Sequence, residues 1–421
     1  MTTSRGVGWL WGVLILSALL ANGCAAPIDT GSIFQAAATT APGPATDSAA
    51  NLNRDRLVFI GADGNLYSAD ADGGRVLALT DDAGDNRLYS QPTWSPTGER
   101  IVWTRIDDGS RGHLVISRSD GTVEIDRELP FPPFYYDWNS SGDRLAYLSS
   151  WTGQDGPTLA LRLVDLTSAD STITTIATGQ PFYLSWAPTG DFLLTHTNNA
   201  EVKIYALQGR STVLSRRSAN FAAPQWLADP TQLAYAVVDG PLQQIVIGNL
   251  RSSQVQNLTY FNGGTSFSVS PDGHKLAYTE SVQDQGSTAH TSLLLLDIPS
   301  GEFRQLSSQP TIAFFWSPDS SSLYWMNAEL RSGEIGLRLR VWNGETTTDL
   351  GRYQPSPTFM DQYLRFADQY SQSASYWSPD SRNVLFSGRN EKGTSGVWVI
   401  PVDGSPAQRV AEGVYAAWPK K

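Results

Sequence analysis

The chain has 421 residues, of which 40% are apolar, 17% are charged and 11% are aromatic. This composition predicts a globular chain rich in β-favouring aromatic residues and argues against intrinsic disorder of the whole protein. The formal net charge of −11 opposes contact with a phosphate backbone, so nucleic acid is not an expected partner.

The N-terminus has the pattern of an export signal. Residues 9–21, WLWGVLILSALLA, are apolar except for Gly12 and Ser17 and have the length of a signal-peptide core. The run is too short to span a bilayer comfortably. Arg5 precedes it, and Cys24, the only cysteine, follows it directly after a glycine. The segment LLANGCAAP resembles the lipobox of bacterial lipoproteins, in which the cysteine is lipidated and the chain is cleaved before it.

The resemblance implies that residues 1–23 are a lipoprotein signal peptide and that Cys24 carries a lipid. An ordinary secretory signal, with no role for Cys24, is the alternative. Residues 24–54 are rich in Ala, Thr, Pro and Ser and lack an apolar period, so we expect a disordered tether. We therefore expect an extracytoplasmic protein, anchored to the bacterial membrane by its lipid, in the periplasm or at the cell surface.

From residue 55 onward the sequence repeats a marker, which is a tryptophan, a turn and an apolar run. Copies include WSPTGERIVW and WSPDSRNVLF, and Val269 replaces the tryptophan in VSPDGHKLAY. Most copies are spaced by about 45 residues, which is typical of propeller blades with four strands. We expect the tryptophans to pack between stacked blades; they are Trp94, Trp138, Trp186, Trp226, Trp316, Trp377 and Trp418.

The number of markers predicts the architecture. Seven whole units run from Trp94 to Trp418, residues 56–80 supply three more strands, and residues 413–418 supply one inner strand. We therefore expect residues 55–421 to form an all-β fold, an eight-bladed β-propeller of four-stranded antiparallel blades. The N- and C-terminal strands would share one blade, which closes the ring and leaves no open sheet edge.

The marker WSPDG…LAY resembles the TolB-type, WD40-like propeller repeat, which also builds the propellers of the tricorn protease and the prolyl oligopeptidases. The resemblance covers residues 55–418 and implies a fold more than a function. TolB has a small α/β domain before its propeller, for which residues 25–54 are too few, so its role in the Tol–Pal system is not carried over. The peptidases have an α/β-hydrolase domain, for which no stretch of this chain is left.

Motifs for catalysis or metal binding are scarce. The nucleophile elbow G-x-S-x-G does not occur, and no two histidines have metal-binding spacing. The acidic runs at 70–74 and 81–85 resemble parts of calcium loops but complete none, and turns between outer strands are the preferred interpretation. We expect no cofactor and no metal. Carboxylates from several blades could converge on the pore, so an enzyme acting on glycan or peptide is the alternative function.

Aromatic residues precede the marker tryptophan in several copies, as in PFYYDW and AFFW. They could line the pore mouth and bind peptide or sugar, or they could pack between blades, which strand alternation favours. The candidate ligand-binding residues are Tyr135, Tyr136, Tyr183, Phe314, Phe315, Tyr376 and Tyr415.

An insertion before Trp377 is predicted to contain a helix within residues 353–373. Ser356 can cap it and Pro357 can take its first position. The helix could cover one face of the ring, or it could offer contacts to a partner. Its apolar face, with helical spacing, consists of Phe359, Tyr363, Phe366 and Tyr370.

Together these patterns favour a non-enzymatic binding or scaffold module at the bacterial cell envelope. Its expected partner is an envelope protein or peptide, contacted through the pore mouth and the insertion. A purely structural envelope protein is a further alternative.

Overall fold

The computed structural model describes residues 55–153, 156–207, 210–219, 222–281, 291–331 and 333–420. The predicted signal peptide, Cys24 and the tether therefore lie outside the described residues. Within the described ranges, no helix is long and apolar enough to cross a membrane.

One sheet joins the two ends of the described chain. Its strands are β1 (Arg56–Gly61), β2 (Leu66–Asp70), β3 (Leu77–Ala78) and β31 (Gly413–Ala417), in the order β3-β2-β1-β31. Strand β31 runs antiparallel to β1, with Val58 opposite Ala417 and Ile60 opposite Tyr415. The predicted sharing of one sheet by the N- and C-terminal strands is confirmed.

Five further sheets have four strands each, and neighbouring strands are consecutive in the chain. They are β4 (Arg87–Trp94), β5 (Arg100–Asp107), β6 (Arg111–Arg118) and β7 (Val123–Leu129); β8 (Pro133–Trp138), β9 (Arg144–Gly153), β10 (Gly156–Asp165) and β11 (Thr172–Gly179); β12 (Phe182–Trp186), β13 (Phe192–Thr197), β14 (Glu201–Ala206) and β15 (Ser211–Ser215); β16 (Gln225–Trp226), β17 (Gln232–Asp239), β18 (Leu242–Asn249) and β19 (Val255–Phe261); and β20 (Phe267–Val269), β21 (Lys275–Ser281), β22 (Thr291–Asp297) and β23 (Phe303–Ser307). The first strand of each sheet ends at a marker residue and is its inner strand.

The remaining sheet has seven strands, β24 to β30. They are β24 (Thr311–Trp316), β25 (Leu323–Arg331), β26 (Glu334–Trp342), β27 (Thr347–Pro355), β28 (Asn383–Asn390), β29 (Ser395–Pro401) and β30 (Gln408–Ala411). Strands β27 and β28 pair only from Tyr353 to Pro355, and Trp377 makes an isolated bridge to Val384. The sheet thus divides into two units, the second with its inner strand reduced to that bridge. This division is compatible with eight blades, a number that stays a prediction.

The insertion forms three short helical turns in place of one regular helix. They are a π-helical turn (Phe359–Tyr363), a 3-10 turn (Leu364–Phe366) and an α-helical turn (Ala367–Tyr370). Residues 353–355, at the start of the predicted insertion, belong to strand β27. The backbone leaves the helical region at Phe366, with φ −124° and ψ 35°. Phe366 is therefore turned away from the predicted apolar face and is 46% exposed, whereas Phe359 is buried.

The serine and aspartate of the marker shape its turn. The Ser317 hydroxyl donates to the Asp319 carboxylate at 2.6 Å and accepts the Ser322 backbone N–H at 2.9 Å. Ser270 and Ser378 make the equivalent pair of bonds in their own copies. Each turn is thus closed by side chains before the next strand begins, which explains the recurrence of Ser-Pro-Asp.

Four of the seven marker tryptophans donate a hydrogen bond to the preceding unit, whereas Nε1 of Trp94, Trp226 and Trp418 has no partner in the structure. Trp186 Nε1 donates to the Asp137 carbonyl at 2.9 Å, and Trp377 Nε1 donates to the Phe315 carbonyl at 2.9 Å. Both acceptors directly precede the marker tryptophan of the previous unit. Trp138 and Trp316 follow the same rule. All seven marker tryptophans are buried except Trp226, which is half-buried. In this structure they therefore pack between sheets.

Candidate functional site

The sheets surround a centre that is occupied by the insertion, residues 356–376. The Tyr370 hydroxyl lies 2.8 Å from Gln91 Oε1 and 2.9 Å from the Phe134 carbonyl oxygen. The Tyr135 hydroxyl donates to the Gln369 carbonyl at 3.1 Å. The insertion is therefore bonded to the inner strands β4 and β8 from within the ring.

The side-chain amide of Gln369 makes the two hydrogen bonds to the inner strand β12 that the backbone of a neighbouring strand would make. Its Oε1 accepts the Leu184 backbone N–H at 2.9 Å, and its Nε2 donates to the Leu184 carbonyl at 3.0 Å. Both backbone groups of this inward-facing position are thus satisfied by one buried amide. Gln369 therefore fixes the depth of the insertion in the channel.

Aromatic contacts fix the other end of the insertion. The Phe359 ring lies 5.5 Å from the rings of Tyr376 and Phe386, measured between centroids. The Tyr363 ring is stacked on that of Tyr415, in β31. These side chains are nearly or fully inaccessible to solvent, so this part of the insertion belongs to the core.

The seven candidate ligand-binding aromatics are all buried, with at most 9% of each residue exposed. Tyr135, Tyr183 and Tyr415 contact the insertion, and Phe315 packs 4.7 Å from Tyr376, within the insertion. Tyr136 and Phe314 lie elsewhere: the Tyr136 hydroxyl is 2.8 Å from the Thr104 hydroxyl, and Phe314 packs in a cluster with Trp316. The burial of these seven side chains in this conformation favours the packing interpretation over an aromatic ring at an open pore mouth. Their role in ligand binding stays a prediction.

The ring has two faces, which we name by their turns. The hairpin face carries the tips between the second and third strand of each unit, and the marker face carries the marker turns. Among the twelve exposed large hydrophobic residues in the described part of the chain, four lie near the marker face: Val76, Val123, Val255 and Phe303. Seven others lie at the hairpin face: Leu88, Phe134, Trp151, Leu242, Tyr260, Leu330 and Ile335. We assign Phe366 to the same face, because Asp368 and Tyr370 of the insertion contact Tyr183 and Phe134 near the hairpin-face ends of β12 and β8. Exposed apolar surface is thus concentrated on one face.

The marker face has two neighbouring hollows at its centre, of about 280 and 380 Å³. Both are lined by Trp226, Gln372 and Lys420. The larger hollow is also lined by Asp137 and Ser185, which belong to inner strands. Polar groups of the insertion and of two blades therefore meet at one place.

Asp137 is the buried ionisable group of the larger hollow, with 3% of the residue exposed. Burial raises the pKa of its carboxyl to about 8, against the opposing effects of Lys420 and of a backbone hydrogen bond from Trp186. Burial also lowers the pKa of the Lys420 amine, which Asp137 opposes. Lys420 Nζ makes its hydrogen bonds to Gln372, at 2.6 Å to the carbonyl oxygen. No repeat or motif predicts this pair, although an aspartate inside an inner strand, in PFYYDW, is an unusual signal.

A second perturbed carboxyl, Asp368, lies on the insertion near Tyr183. Burial raises the pKa of Asp368 to about 6, although hydrogen bonds from the Gln369 N–H and the Tyr183 hydroxyl act in the opposite direction. The Tyr183 hydroxyl is 3.3 Å from the carboxylate. No group of three or more His, Cys, Asp or Glu side chains suited to a metal ion occurs among the residues that the structure describes.

No protein-family model and no curated protein matches the chain. Among solved structures, the C-terminal WD40 domain of Sif2 is 12% identical, with a TM-score of 0.51 over 83% of this chain and 93% of its own. A eukaryotic initiation factor is 12% identical, with a TM-score of 0.52 over 87% and 98%. TolB from Acinetobacter baumannii is 17% identical, with a TM-score of 0.39 over 70% and 79%.

The chain is a β-propeller. At these identities the similarity establishes the propeller fold alone, so the function of this chain has to be inferred from its own residues. The insertion fills the centre of the propeller and leaves two surfaces that differ in chemistry. The hairpin face presents apolar side chains, and the marker face presents a hollow whose tryptophan walls surround the polar groups of Asp137, Gln372 and Lys420.

Proposed function

We propose that this propeller is a non-enzymatic binding or scaffold module at the bacterial cell envelope, whose hairpin face contacts an apolar segment of another envelope protein. The observation that carries the proposal is the exposure of Phe366. It is 46% exposed on an insertion whose other three apolar-face residues, Phe359, Tyr363 and Tyr370, are buried. An exposed aromatic side chain on a buried and therefore rigid anchor is suited to contact a partner.

Neighbouring features extend this contact surface. Phe134, at the start of the inner strand β8, is 38% exposed, and its carbonyl oxygen lies 2.9 Å from the Tyr370 hydroxyl of the insertion. Leu330 and Ile335 are paired across the hairpin of β25 and β26 and are 73% and 61% exposed. Apolar residues on a central element and on a projecting hairpin together suit an elongated apolar segment more than a small polar molecule.

The envelope location rests on the N-terminal sequence, which lies outside the described residues. An apolar run of signal-peptide length that ends in Gly-Cys supports export and lipidation at Cys24. A lipid anchor followed by a tether would hold the propeller near the membrane, where its partner is expected.

One observation favours a second candidate, an enzyme acting on glycan or peptide. Asp137 is a buried carboxyl in a hollow, and its raised pKa, about 8, is a property of general acids. Glycoside hydrolysis uses two carboxyls, however. The ionisable group that acts electrostatically on Asp137 is the amine of Lys420 and not a second carboxyl. The binding module is therefore the better supported function.

The test compares two serine substitutions at phenylalanines of similar exposure on opposite faces. Phe366→Ser alters the hairpin face, and Phe303→Ser, where the wild-type residue is 58% exposed, alters the periphery of the marker face. Each tethered variant would be cross-linked in intact envelopes, and the captured proteins would be quantified. We expect Phe366→Ser to lose partners that Phe303→Ser and the wild type both capture. Equal capture by both variants would refute the hairpin face as the contact surface.

A further inference from the structure

The larger hollow of the marker face combines aromatic walls with a buried acid. Its volume is about 380 Å³. Its walls include the marker tryptophans of four consecutive units, Trp94, Trp138, Trp186 and Trp226. Asp137 contributes to the lining although only 3% of it is exposed. Aromatic rings around a carboxylate are the surroundings that proteins use for alkylammonium groups.

The carboxylate of Asp137 lacks a close cationic partner in this hollow. Lys420 is the charged group that acts on it, but Lys420 Nζ donates to the Gln372 carbonyl oxygen at 2.6 Å and lies 3.5 Å from Gln372 Oε1. A buried carboxylate without a contacting cation is unfavourable, and an ammonium ion beside it would remove much of that cost. Burial therefore favours the protonated form of Asp137, and a further positive charge in the hollow would stabilise its carboxylate.

We propose that this hollow binds the side-chain ammonium of a lysine in a peptide ligand, with Asp137 as the counter-ion and Lys420 as a resident competitor. Lys420 itself shows that a lysine side chain fits here, because it lines both hollows and its amine donates to Gln372, which lines both as well. An ammonium group has three N–H donors. The Asp137 carboxylate, the Gln372 carbonyl oxygen and the Ser185 hydroxyl are acceptors in or beside the same lining.

The two resident groups have opposite roles in this site. Asp137 attracts the incoming charge, whereas Lys420 repels it and occupies one acceptor on Gln372. Removing Asp137 should therefore weaken binding, and removing the charge of Lys420 should strengthen it. A purely structural Asp137–Lys420 pair predicts no binding in either case. The site lies on the marker face and does not depend on the hairpin face proposed above.

The probe is Nα-acetyl-lysine amide, whose side-chain ammonium is free. The control is Nα-acetyl-norleucine amide, whose side chain has a similar length but lacks the ammonium. Calorimetric titration at about pH 9 keeps the probe charged and also favours the ionised form of Asp137, whose pKa is raised by burial. We expect the lysine probe to bind at least about tenfold more tightly than the norleucine probe, which corresponds to one charge-assisted contact. Equal affinity for the two probes would overturn the proposal.

Two variants test the residues. Asp137→Asn should weaken binding of the lysine probe about tenfold, and Lys420→Met should strengthen it severalfold. The matched controls are Asp85→Asn and Lys392→Met, which make the same charge changes at exposed positions near the hairpin face. An unchanged affinity in either test variant overturns the proposal, as does the absence of binding to both the wild type and Lys420→Met. Because Lys420→Met is expected to gain affinity, misfolding cannot imitate the supporting result.

Discussion

The ring of Tyr363 in the insertion lies parallel to the ring of Tyr415 in strand β31, with centroids 3.5 Å apart and an angle of 9° between the planes. The stack joins the insertion, which fills the centre, to the strand that closes the propeller. Filling the channel and closing the ring therefore stabilise each other. Substitutions in the insertion should affect global stability wherever they touch this contact network.

The same substitution should lower the stability of the protein strongly at Phe359 and hardly at all at Phe366. Phe359→Ser removes a fully buried ring that packs against Tyr376 and Phe386, so we expect a loss of about 3–5 kcal/mol in the free energy of unfolding. Phe366→Ser changes an exposed side chain and should cost no more than about 0.5 kcal/mol. Denaturant unfolding of both variants checks this. Similar losses in the two would show that Phe366 also belongs to the core.

Gln369 should be required for docking of the insertion on β12. Gln369→Leu leaves the Leu184 N–H and carbonyl oxygen without their partner, and we expect a loss of about 2–4 kcal/mol. The matched control is Gln362→Leu at an exposed position of the same insertion, with an expected change of about 0.5 kcal/mol or less. Thermal unfolding compares them. A neutral Gln369→Leu would mean that the insertion is held by its aromatic contacts alone.

The Asp368 carboxyl should make stability depend on pH. Its pKa is raised to about 6 in the folded chain, so folding favours the protonated form. The stability that it contributes is complete below its unfolded pKa of roughly 4 and is lost as the pH rises through about 6. The melting temperature of the wild type relative to Asp368→Asn should therefore fall between pH 4 and 7. A constant difference across this range would contradict the burial of the carboxyl. Asp137 is present in both proteins, so its titration cancels.

Removing strand β31 should open the propeller. Deletion of residues 413–421 leaves β1 without the partner that it has at Val58–Ala417, and a free strand edge promotes association. We expect soluble oligomers or aggregates by size-exclusion chromatography. Deletion of Lys421 alone is the control and should leave a monodisperse peak of unchanged volume. A monodisperse protein after the long deletion would show that β1 is protected in another way.

Cys24 should determine whether the protein is retained at the membrane. If its thiol carries the lipid, Cys24→Ser should move the protein into the soluble fraction, and the wild type should show the added acyl mass. Membrane fractionation and intact-mass spectrometry measure the two properties. A variant that stays with the membrane would favour the alternative in which Cys24 has no role.

The sequence pattern was sufficient for the parts of the fold that repeat. Marker spacing located the inner strands and predicted the β1–β31 closure, because each copy places a large marker residue and a turn at the same point of its unit. The insertion occurs once, so nothing in the repeat constrained it. Its backbone changes helical type twice to fit the aromatic core, which moved Phe366 off the expected face. The Asp137–Lys420 site depends on the closing strand bringing distant residues together, and no local pattern encodes it.

The pairing of β1 with β31 also determines when the fold can be completed. The first strand leaves the ribosome early, and its partner follows only after all intervening blades have been synthesised. The ladder between them is among the most non-local contacts in the described chain, and contacts of this kind form slowly. The first blade therefore stays incomplete, with an unpaired edge on β1, until β31 is available to pair with it.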